Sequence, residues 1–548
     1  MLRLTELRLP LDHPPEALNA AAAARLGVTV ADLADVQVFR RGWDARGKKA
    51  VVLVYTVDVA LRPGVVPAVA ASASPDMAYR FVAHAPAGMT ERPVVIGAGP
   101  CGLLAALILA QSGFRPIILE RGQVVRQRTK DTWALWRRGV LSPESNVQFG
   151  EGGAGTFSDG KLYSQIKDPL FRGRKVLEEF VTSGAPEEIL WAAKPHIGTF
   201  RLVTMVESLR ATIEALGGEY RFGTRVEGLE LDGAHGVAGV VLAGGERIAT
   251  RHVVLAVGHS ARDTFAMLHA AGVAIEAKPF SIGVRIEHPQ SLIDRARFGE
   301  FAGNRTLGAA DYKLVHHASN GRSVYSFCMC PGGTVVAATS EPGRVVTNGM
   351  SQYSRAERNA NAGIVVGITP ADYPGGPLAG IDFQRHWESA AFVAGGGTYA
   401  APGQRVVDFL AGRASTHLGE VIPSYRPGVT PADLRDCLPD FAVAAIREAL
   451  PAFDRKLPGF ALDDAVMTGV ETRTSSPVRI PRDAAFQSPN TPGLFPAGEG
   501  AGYAGGILSA GVDGIRVAEA VALSITGTAR PDWLARDRGM AESEMIYG

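Results

Sequence analysis

The sequence predicts an α/β protein in which a parallel sheet flanked by helices carries an inserted mixed α+β domain and follows a small N-terminal α+β unit. Three observations lead to this prediction. An apolar strand runs through a glycine-rich turn into an apolar helix at residues 93–113, and a similar pattern returns at residues 493–522. Between these segments, residues 277–470 contain many short strand-like runs separated by glycine turns. Two segments with the same strand–turn–helix pattern, separated by a segment with a different pattern, are typical of one domain interrupted by another.

Length and composition indicate the broad class. A chain of 548 residues is too long for one hydrophobic core, so we expect two or three domains. Its 56 basic and 55 acidic residues give a formal charge of +1, which provides no overall attraction to nucleic acid or anionic lipid. The apolar run at residues 103–110 is too short to span a bilayer, and no signal-peptide pattern is visible. With only four cysteines, we expect a cytoplasmic protein without a disulfide framework.

The boundaries of the expected units follow the pattern of strands and helices. Residues 1–76 contain two strand patterns, a helix that stops at a glycine, and a linker rich in Pro, Ala and Ser. Residues 77–276 form the first part of the α/β domain, and residues 277–470 form the inserted domain. Residues 471–548 return to the α/β domain.

The first glycine-rich loop has the pattern of a dinucleotide-binding turn. Gly97, Gly99 and Gly102 form G-x-G-x-x-G between the apolar strand and the helix. The first glycine permits a tight turn, the second lets the backbone approach a pyrophosphate, and the third lets the helix pack closely on the strand. Pro100 and Cys101 complete the loop at the helix N-terminus, where unpaired N–H groups can bind phosphate. The alternative is an ordinary glycine-rich α/β turn.

An acidic residue ends the second strand, where a dinucleotide ribose is expected. Glu120, followed by Arg121, comes 18 residues after Gly102. A carboxylate at this place can accept both hydroxyls of an adenosine ribose and disfavours a 2′-phosphate. The loop therefore predicts FAD or NAD rather than NADP.

A second glycine-rich stretch, GEGAGYAGGI, favours FAD over NAD. Gly498 ends an apolar strand and is followed by Glu499, by Gly505 and Gly506, and by a new helix near Ile507. A flavin needs an acid for its ribitol hydroxyls and a second helix N-terminus directed at the pyrimidine end of its ring. The sequence therefore predicts an FAD-binding Rossmann-like domain that holds the flavin between the two glycine loops.

Six longer motifs carry a resemblance to known proteins. They are VVIGAGPCGLLAA, VQFGEGGAGTFSDGKL, KPFSIGVRIEHP, SFCMCPGGTVV, TNGMSQYSR and ETRTSSPVRI. Over nearly its whole length the chain resembles the two-dinucleotide-fold flavoproteins of the glutathione-reductase type, and within them a bacterial FAD-dependent dehydrogenase family without an assigned reaction. The resemblance implies that the second motif passes the pyrophosphate and ribitol, with contacts from Gly152, Gly153 and Gly155. We also expect cofactor contacts at Val226 and Gly258, which adjoin later strands.

Two residues are candidate catalytic groups. Lys161 could neutralise phosphate or stabilise the reduced flavin near N1, or it could be a surface lysine of a flexible loop. Arg473 alternates with Glu471 and Ser475 on an expected strand. It could present a polar group to a substrate or form a salt bridge between domains.

The cysteines and basic residues indicate no further site. Cys328 and Cys330 form C-x-C, which does not match the C-x-x-x-x-C of disulfide reductases, and buried structural thiols are favoured over redox or metal roles. No cluster has metal-ligand spacing, so no metal is expected. A solvated turn accounts for the basic cluster formed by Arg40, Arg41, Arg46, Lys48 and Lys49, so we expect no nucleic-acid partner.

Together these features predict a flavin-dependent oxidoreductase that moves hydride through flavin N5 to or from a small organic substrate. The sequence has no second strand–G-x-G-x-x-G–helix pattern, so NAD(P)H is expected only as a transient electron donor. Two alternatives stay open: a flavin-dependent monooxygenase, and a non-catalytic flavin-stabilised binding or RNA-associated protein. The sequence does not determine the oligomeric state.

Overall fold

The computed structural model describes residues 1–47 and 50–537. The N-terminal unit is an antiparallel sheet covered by one helix, with its own small core. Its elements are β1 (Leu2–Pro10), α1 (Ala17–Leu26), β2 (Leu33–Asp44), β3 (Val52–Leu61) and β4 (Ser72–Ala73). The strand order is β2-β3-β1-β4. Helix α1 ends at Gly27, whose φ of 67° is left-handed, as the glycine stop in the sequence predicts.

The basic cluster of this unit is partly neutralised. Arg46 forms an ion pair with Asp44 at 2.6 Å. The guanidinium of Arg41 lies over the ring of Trp191, 4.4 Å from its centroid. Lys48 and Lys49 lie outside the described residues. The expectation that this cluster binds no nucleic acid stays a prediction.

The first part of the α/β domain alternates short parallel strands with helices and includes an antiparallel three-stranded sheet. Its elements are β5 (Val94–Ile96), α2 (Pro100–Gln111), β6 (Ile117–Leu119), α3 (Val125–Arg138), α4 (Arg172–Thr182), α5 (Thr199–Ala215), β7 (Glu219–Arg221), β8 (Val226–Leu231), β9 (Val237–Leu242), β10 (Arg247–Ala249), β11 (Val253–Leu255) and α6 (Arg262–Ala270).

The middle of the chain forms a large mixed sheet with helices packed against it. Its elements are β12 (Glu276–Ala277), β13 (Phe280–Pro289), α7 (Gln290–Phe298), β14 (Val315–His317), β15 (Ser323–Ala337), β16 (Thr347–Ser351), β17 (Asn359–Ile368), α8 (Ala379–Ala394), β18 (Ala401–Arg405), α9 (Val406–Ala411), β19 (Val429–Pro431), α10 (Asp440–Lys456) and β20 (Val466–Glu471). The strand order is β14-β15-β17-β13-β20-β18-β19, with β16 paired to β15.

The C-terminal segment rejoins the parallel sheet. It contains β21 (Val478–Arg479), β22 (Leu494–Pro496) and α11 (Ile507–Thr526). Strand β22 pairs in parallel with β11, which pairs in parallel with β5, and the sheet order is β22-β11-β5-β6-β7. The α/β class that the sequence predicts is confirmed. Short 3-10 turns occur at Val30–Asp32, Ala154–Phe157, Glu187–Leu190, Gly299–Phe301, Pro370–Asp372, Leu434–Cys437 and Asp532–Asp537.

Helix α2 is the central helix of the α/β domain. Residues 101–110 are all buried, because this helix is apolar on every side and lies within a core shared with α5 and α11. Gly514 lets α11 approach α2 closely, since a Cβ at this position would lie 2.2 Å from the carbonyl oxygen of Cys101. Among the described helices, none is long and apolar enough to cross a bilayer.

Candidate functional site

The G-x-G-x-x-G loop requires glycine at two of its three positions for steric reasons. Gly97 has a φ of 101°, and a Cβ there would lie 2.4 Å from the carbonyl oxygen of Ala256. A Cβ at Gly102 would lie 1.9 Å from the carbonyl oxygen of Gly97. Gly99 precedes α2, and a Cβ there would meet only the Cα of Gly153, at an ordinary contact distance of 3.6 Å. The loop therefore presents bare backbone at the start of the buried helix.

The second glycine-rich motif lies directly against this loop. The N–H of Gly152 donates to the carbonyl oxygen of Ala98 at 2.8 Å. A Cβ on Gly153, whose φ is 62°, would lie 2.8 Å from the Cα of Gly99. A Cβ on Gly155 would lie 3.0 Å from Cγ1 of Ile507, the first residue of α11. The structure thus brings the first loop, the second motif and the C-terminal loop together.

Buried Arg128 on α3 fixes the second motif. Its guanidinium donates to the carbonyl oxygens of Asn146, Val147 and Glu151 at 2.7–2.8 Å. Its aliphatic stem also fills the space beside Gly150, where a Cβ would lie 2.3 Å from the arginine Cδ. The role of Arg128 is not visible in the sequence, because an arginine in a polar helix gives no sign that it is buried.

Glu120 ties the two loops together. Its buried carboxylate accepts backbone hydrogen bonds from Ala98 at 2.9 Å, Gly122 at 2.8 Å and Gly150 at 3.0 Å. An ionised carboxylate has about four acceptor sites, so roughly one is left for a ribose hydroxyl. The structure therefore adds a structural role to the expected ribose contact, which stays a prediction.

Arg121 follows Glu120 in the chain, and Val226 is two residues from a backbone contact with Glu120. The Arg121 guanidinium forms ion pairs with Glu144 and Asp263, each at 2.8 Å, and lies 4.2 Å from the ring centroid of Phe149. Val226 begins β8, and the neighbouring Thr224 donates its N–H to the carbonyl oxygen of Glu120 at 2.9 Å. Their cofactor contacts stay predictions.

Gly258 and the two glycines before α11 border open space, which is called the opening below. Among the described atoms, none lies within 4 Å of a Cβ placed on Gly258 or Gly505. A Cβ placed on Gly506 would meet only the Ser509 hydroxyl, at 3.8 Å. Gly506 precedes the 20-residue α11 and supplies no side-chain cap. The first N–H groups of this helix therefore face the opening, where the positive end of the helix dipole favours negative charge.

Glu499 precedes Gly500, which packs against Gly258, and its side chain has no hydrogen-bond partner among the described residues. Burial raises the pKa of its carboxyl group to about 7, although the charge of Lys278 acts to lower it. The Lys278 ammonium donates to the Ser475 hydroxyl at 3.2 Å and to the Pro279 carbonyl at 3.3 Å, and burial lowers its pKa. A half-buried carboxylate without a donor indicates a place where a ligand supplies one. No pattern in the sequence indicates that Lys278 lies near Glu499.

The C-terminal loop is held in place from α11. Gly498 has a φ of 67°, and a Cβ there would lie 2.9 Å from the Cβ of Cys101. Its N–H donates to the buried carboxylate of Asp513 at 2.7 Å, and Asp513 forms an ion pair with Arg482 at 2.6 Å. An aspartate within an apolar helix is the signal from which this support could have been found.

Lys161 lies against the mixed sheet rather than on a surface loop. Its ammonium donates to the carbonyl oxygen of Met329 on β15. The nearby thiols of Cys328 and Cys330 help to raise its pKa. This placement removes the flexible-loop alternative, while the catalytic role of Lys161 stays a prediction.

Arg473 lies in a buried salt bridge between elements of the two larger units. It forms an ion pair with Glu388 on α8 at 3.1 Å and donates to the hydroxyls of Ser260 and Ser340. Arg262 forms a second ion pair with Glu388, at 2.7 Å. This is the salt bridge that the sequence leaves open as one role of Arg473, and its catalytic role stays a prediction. Within residues 1–47 and 50–537, no group of three or more His, Cys, Asp or Glu side chains could hold a metal ion.

Comparison with known proteins identifies parts of the chain. Residues 279–474 match a family model described as "FAD-dependent protein, C-terminal domain-like", and residues 1–60 match a domain of unknown function. A protein of Clostridium beijerinckii, described as uncharacterized, is 45% identical over 526 residues, which cover 94% of this chain and 98% of that protein. The FAD-dependent class implied by the resemblance is confirmed, while the glutathione-reductase type stays a prediction.

Several solved flavoprotein structures are similar at a low level. L-proline dehydrogenase from P. horikoshii is 13% identical, with 82% of this chain and 99% of that chain covered and a TM-score of 0.39. L-amino acid deaminase from Proteus vulgaris is 12% identical, with 82% and 97% covered and a TM-score of 0.33. A flavin-dependent brominase is 14% identical, with 82% and 83% covered and a TM-score of 0.37. At this level the likeness does not extend to substrate or reaction.

Proposed function

The chain belongs to the same family as the Clostridium beijerinckii protein, and from this premise we propose that it is an FAD-dependent oxidoreductase. In this proposal, hydride moves through flavin N5 to or from a small organic substrate, and NAD(P)H serves as a transient electron donor. The observation that carries the proposal is the meeting of three glycine-rich backbone segments at the N-termini of α2 and α11.

The residues of this meeting point fit FAD. The start of α2 offers N–H groups to the pyrophosphate, beside Gly153, where a side chain is excluded. Glu120 is directed at the same loop and keeps roughly one acceptor site for a ribose hydroxyl. At the other end of the site, Glu499 lacks a hydrogen-bond donor that the ribitol would supply.

The ring end of the site contains groups that can act in proton and electron transfer. Bound FAD supplies hydride transfer at N5. The charges of Lys161 and Lys278 stabilise negative charge that develops in this region. With a pKa of about 7, the Glu499 carboxyl group can hold or accept a proton near neutral pH.

Spectra of the purified protein test the proposal. We expect a yellow protein that releases FAD on heating or acid treatment, because its flavin is bound non-covalently. We also expect the flavin absorbance to bleach anaerobically with NADH or NADPH, as well as with dithionite. A protein that binds NAD and no flavin would contradict the proposal, and a flavin reduced only by dithionite would contradict the electron donor.

A further inference from the structure

Two cations project side by side from the short ladder that joins β12 to β21. Ala277 pairs with Val478 in antiparallel register, and the N–H of Lys278 donates to the carbonyl oxygen of Pro477 at 3.0 Å. Successive residues of a strand point to opposite faces, so Lys278 and Arg479, the next residue of each strand, share one face of this ladder. Burial and the charge of Arg479 both lower the pKa of Lys278, as expected of neighbouring cations.

Both side chains lie against the C-terminal loop that borders the opening. A Cβ placed on Gly502 would lie 3.2 Å from Cδ of Lys278 and 3.3 Å from Cβ of Arg479. The N–H of Gly502 donates to the carbonyl oxygen of Glu499 at 3.0 Å, so the loop turns back on itself here. Gly505, at the edge of the opening, follows three residues later. The two cations therefore lie at the ring end of the proposed flavin site.

The guanidinium of Arg479 has a donor to offer. It lies over the ring of Tyr503, 5.2 Å from the centroid, and its Nε–H is buried without a hydrogen-bond acceptor among the described residues. Arg482 lies over the same ring at 3.7 Å, but it forms an ion pair with Asp513. A buried donor without a partner is costly in a folded protein. The contrast between the two arginines indicates that a ligand supplies the acceptor of Arg479.

The charge of this pair is not balanced by the described residues around it. Within residues 1–47 and 50–537, the Lys278 ammonium donates only to neutral oxygens, those of the Ser475 hydroxyl and the Pro279 carbonyl. The carboxyl group that acts to raise the pKa of Lys278 is that of Glu499, and its own pKa of about 7 leaves it partly protonated at neutral pH. With Arg479 included, the place stays positively charged whether Glu499 is ionised or not, and it attracts an anion.

We propose that Lys278 and Arg479 bind the carboxylate group of a small organic acid, which is the substrate of the proposed enzyme. This inference rests on the proposed function and adds the substrate class. A carboxylate has one negative charge and two acceptor oxygens, which match a guanidinium and an ammonium, whereas ionised Glu499 opposes the second charge of a phosphate. FAD does not supply this anion, because its phosphates are assigned to the start of α2. An acid held beside Gly502 lies next to the opening assigned to the flavin ring.

Calorimetric titration of the holoprotein with acetate and benzoate tests this proposal, with benzamide as the uncharged analogue of benzoate. We expect the two carboxylates to bind and to shift the visible spectrum of the flavin, and benzamide to do neither. Lys278→Met and Arg479→Met should each weaken carboxylate binding about ten- to a hundredfold at unchanged FAD content, because a charge-assisted hydrogen bond is lost. Arg479→Lys keeps the charge and should recover part of the affinity. Lys130→Met, which replaces an exposed lysine of α3, is the matched control and should bind like the wild type.

Several results would overturn the proposal. They are the absence of carboxylate binding, equal carboxylate affinities in the wild type and both Met variants, binding without a change in the flavin spectrum, and tighter binding of inorganic phosphate than of benzoate. Loss of FAD from both Met variants would also overturn it, because the two cations would then serve the cofactor. Calorimetry does not depend on the flavin. A protein without flavin that still binds benzoate through Lys278 and Arg479 would therefore overturn the proposed function, while the carboxylate site itself would stand.

Discussion

Replacing Glu499 by Gln should change the stability of the flavin-free protein and its flavin affinity in opposite directions. Burial raises the pKa of Glu499 from 4.5 to about 7. Because the folded pKa lies above the unfolded one, ionisation opposes folding: the cost is absent below pH 4.5, grows between pH 4.5 and 7, and is complete above pH 7. At roughly 1.4 kcal/mol per pH unit, the charged carboxylate costs the flavin-free fold about 3 kcal/mol at pH 8.

Glutamine carries no charge and removes this cost. At pH 8 we expect the Tm of the flavin-free protein to rise by about 6–12 °C, at roughly 2–4 °C per kcal/mol for a domain of 150–250 residues. At pH 5 the gain should correspond to less than about 1 kcal/mol. FAD affinity should fall about tenfold, because one or two charge-assisted hydrogen bonds of about 1.5–3 kcal/mol become neutral ones of about 0.5–1.5 kcal/mol.

Thermal unfolding of the flavin-free protein at both pH values, and titration of the same protein with FAD at pH 8, measure the two effects. Glu300→Gln is the matched control, since Glu300 is exposed and its replacement should change stability by less than about 0.5 kcal/mol. Equal FAD affinities for the two variants would refute the placement of the flavin beside Glu499. An unchanged Tm at pH 8 would refute the burial of its charge.

Two further predictions concern the opening and the salt bridge. Gly258→Ala and Gly272→Ala both place a methyl group in open space at left-handed residues, with φ of 73° and 83°, so they should lower Tm equally. Only Gly258→Ala should reduce the FAD content, because its methyl group enters the space assigned to the flavin, and equal flavin contents would contradict that assignment. Glu388→Gln should destabilise the fold by about 3–5 kcal/mol, measured as a lower Tm, because Arg262 and Arg473 lose their shared carboxylate. Arg473→Met should lower the stability by less, because Glu388 retains its ion pair with Arg262. A slower flavin reduction at unchanged Tm would instead support a catalytic role of Arg473.

A structural feature can be predicted from the sequence when the contacts that require it lie within the same strand–turn–helix unit. Gly97 and Gly102 are recognisable because each is required by atoms of its own strand–turn–helix unit or the adjoining strand. The expected strand through Arg473 and Ser475 ends instead at Glu471. Alternating polar residues indicate a strand, but they cannot show that Arg473 turns toward Glu388 on α8, because that partner is distant in sequence.

The candidate site shows the same limit. Glycines and acids at helix N-termini are visible in the sequence because backbone geometry demands those residue types there. The contact of Lys161 with Met329, and the closeness of Glu499 to Lys278 and Cys328, depend on how the mixed sheet packs against the parallel one. No local pattern records that packing. The bulge of β15 between Phe327 and Cys330, where two residues lie opposite one of β17, is likewise shown by no local sequence pattern.

The position of β22 has a consequence for the order of events during synthesis. This strand completes the parallel sheet beside β11, yet Leu494 is translated 239 residues after Leu255. At roughly 5–20 residues per second, the ribosome needs about 10–50 s to cover that distance. Throughout this interval the nascent chain has the first glycine loop but neither Glu499 nor α11. In the proposed site, the full set of flavin contacts therefore exists only after α11 has been made, and until then the unfinished edge at β11 is open to pairing with other chains.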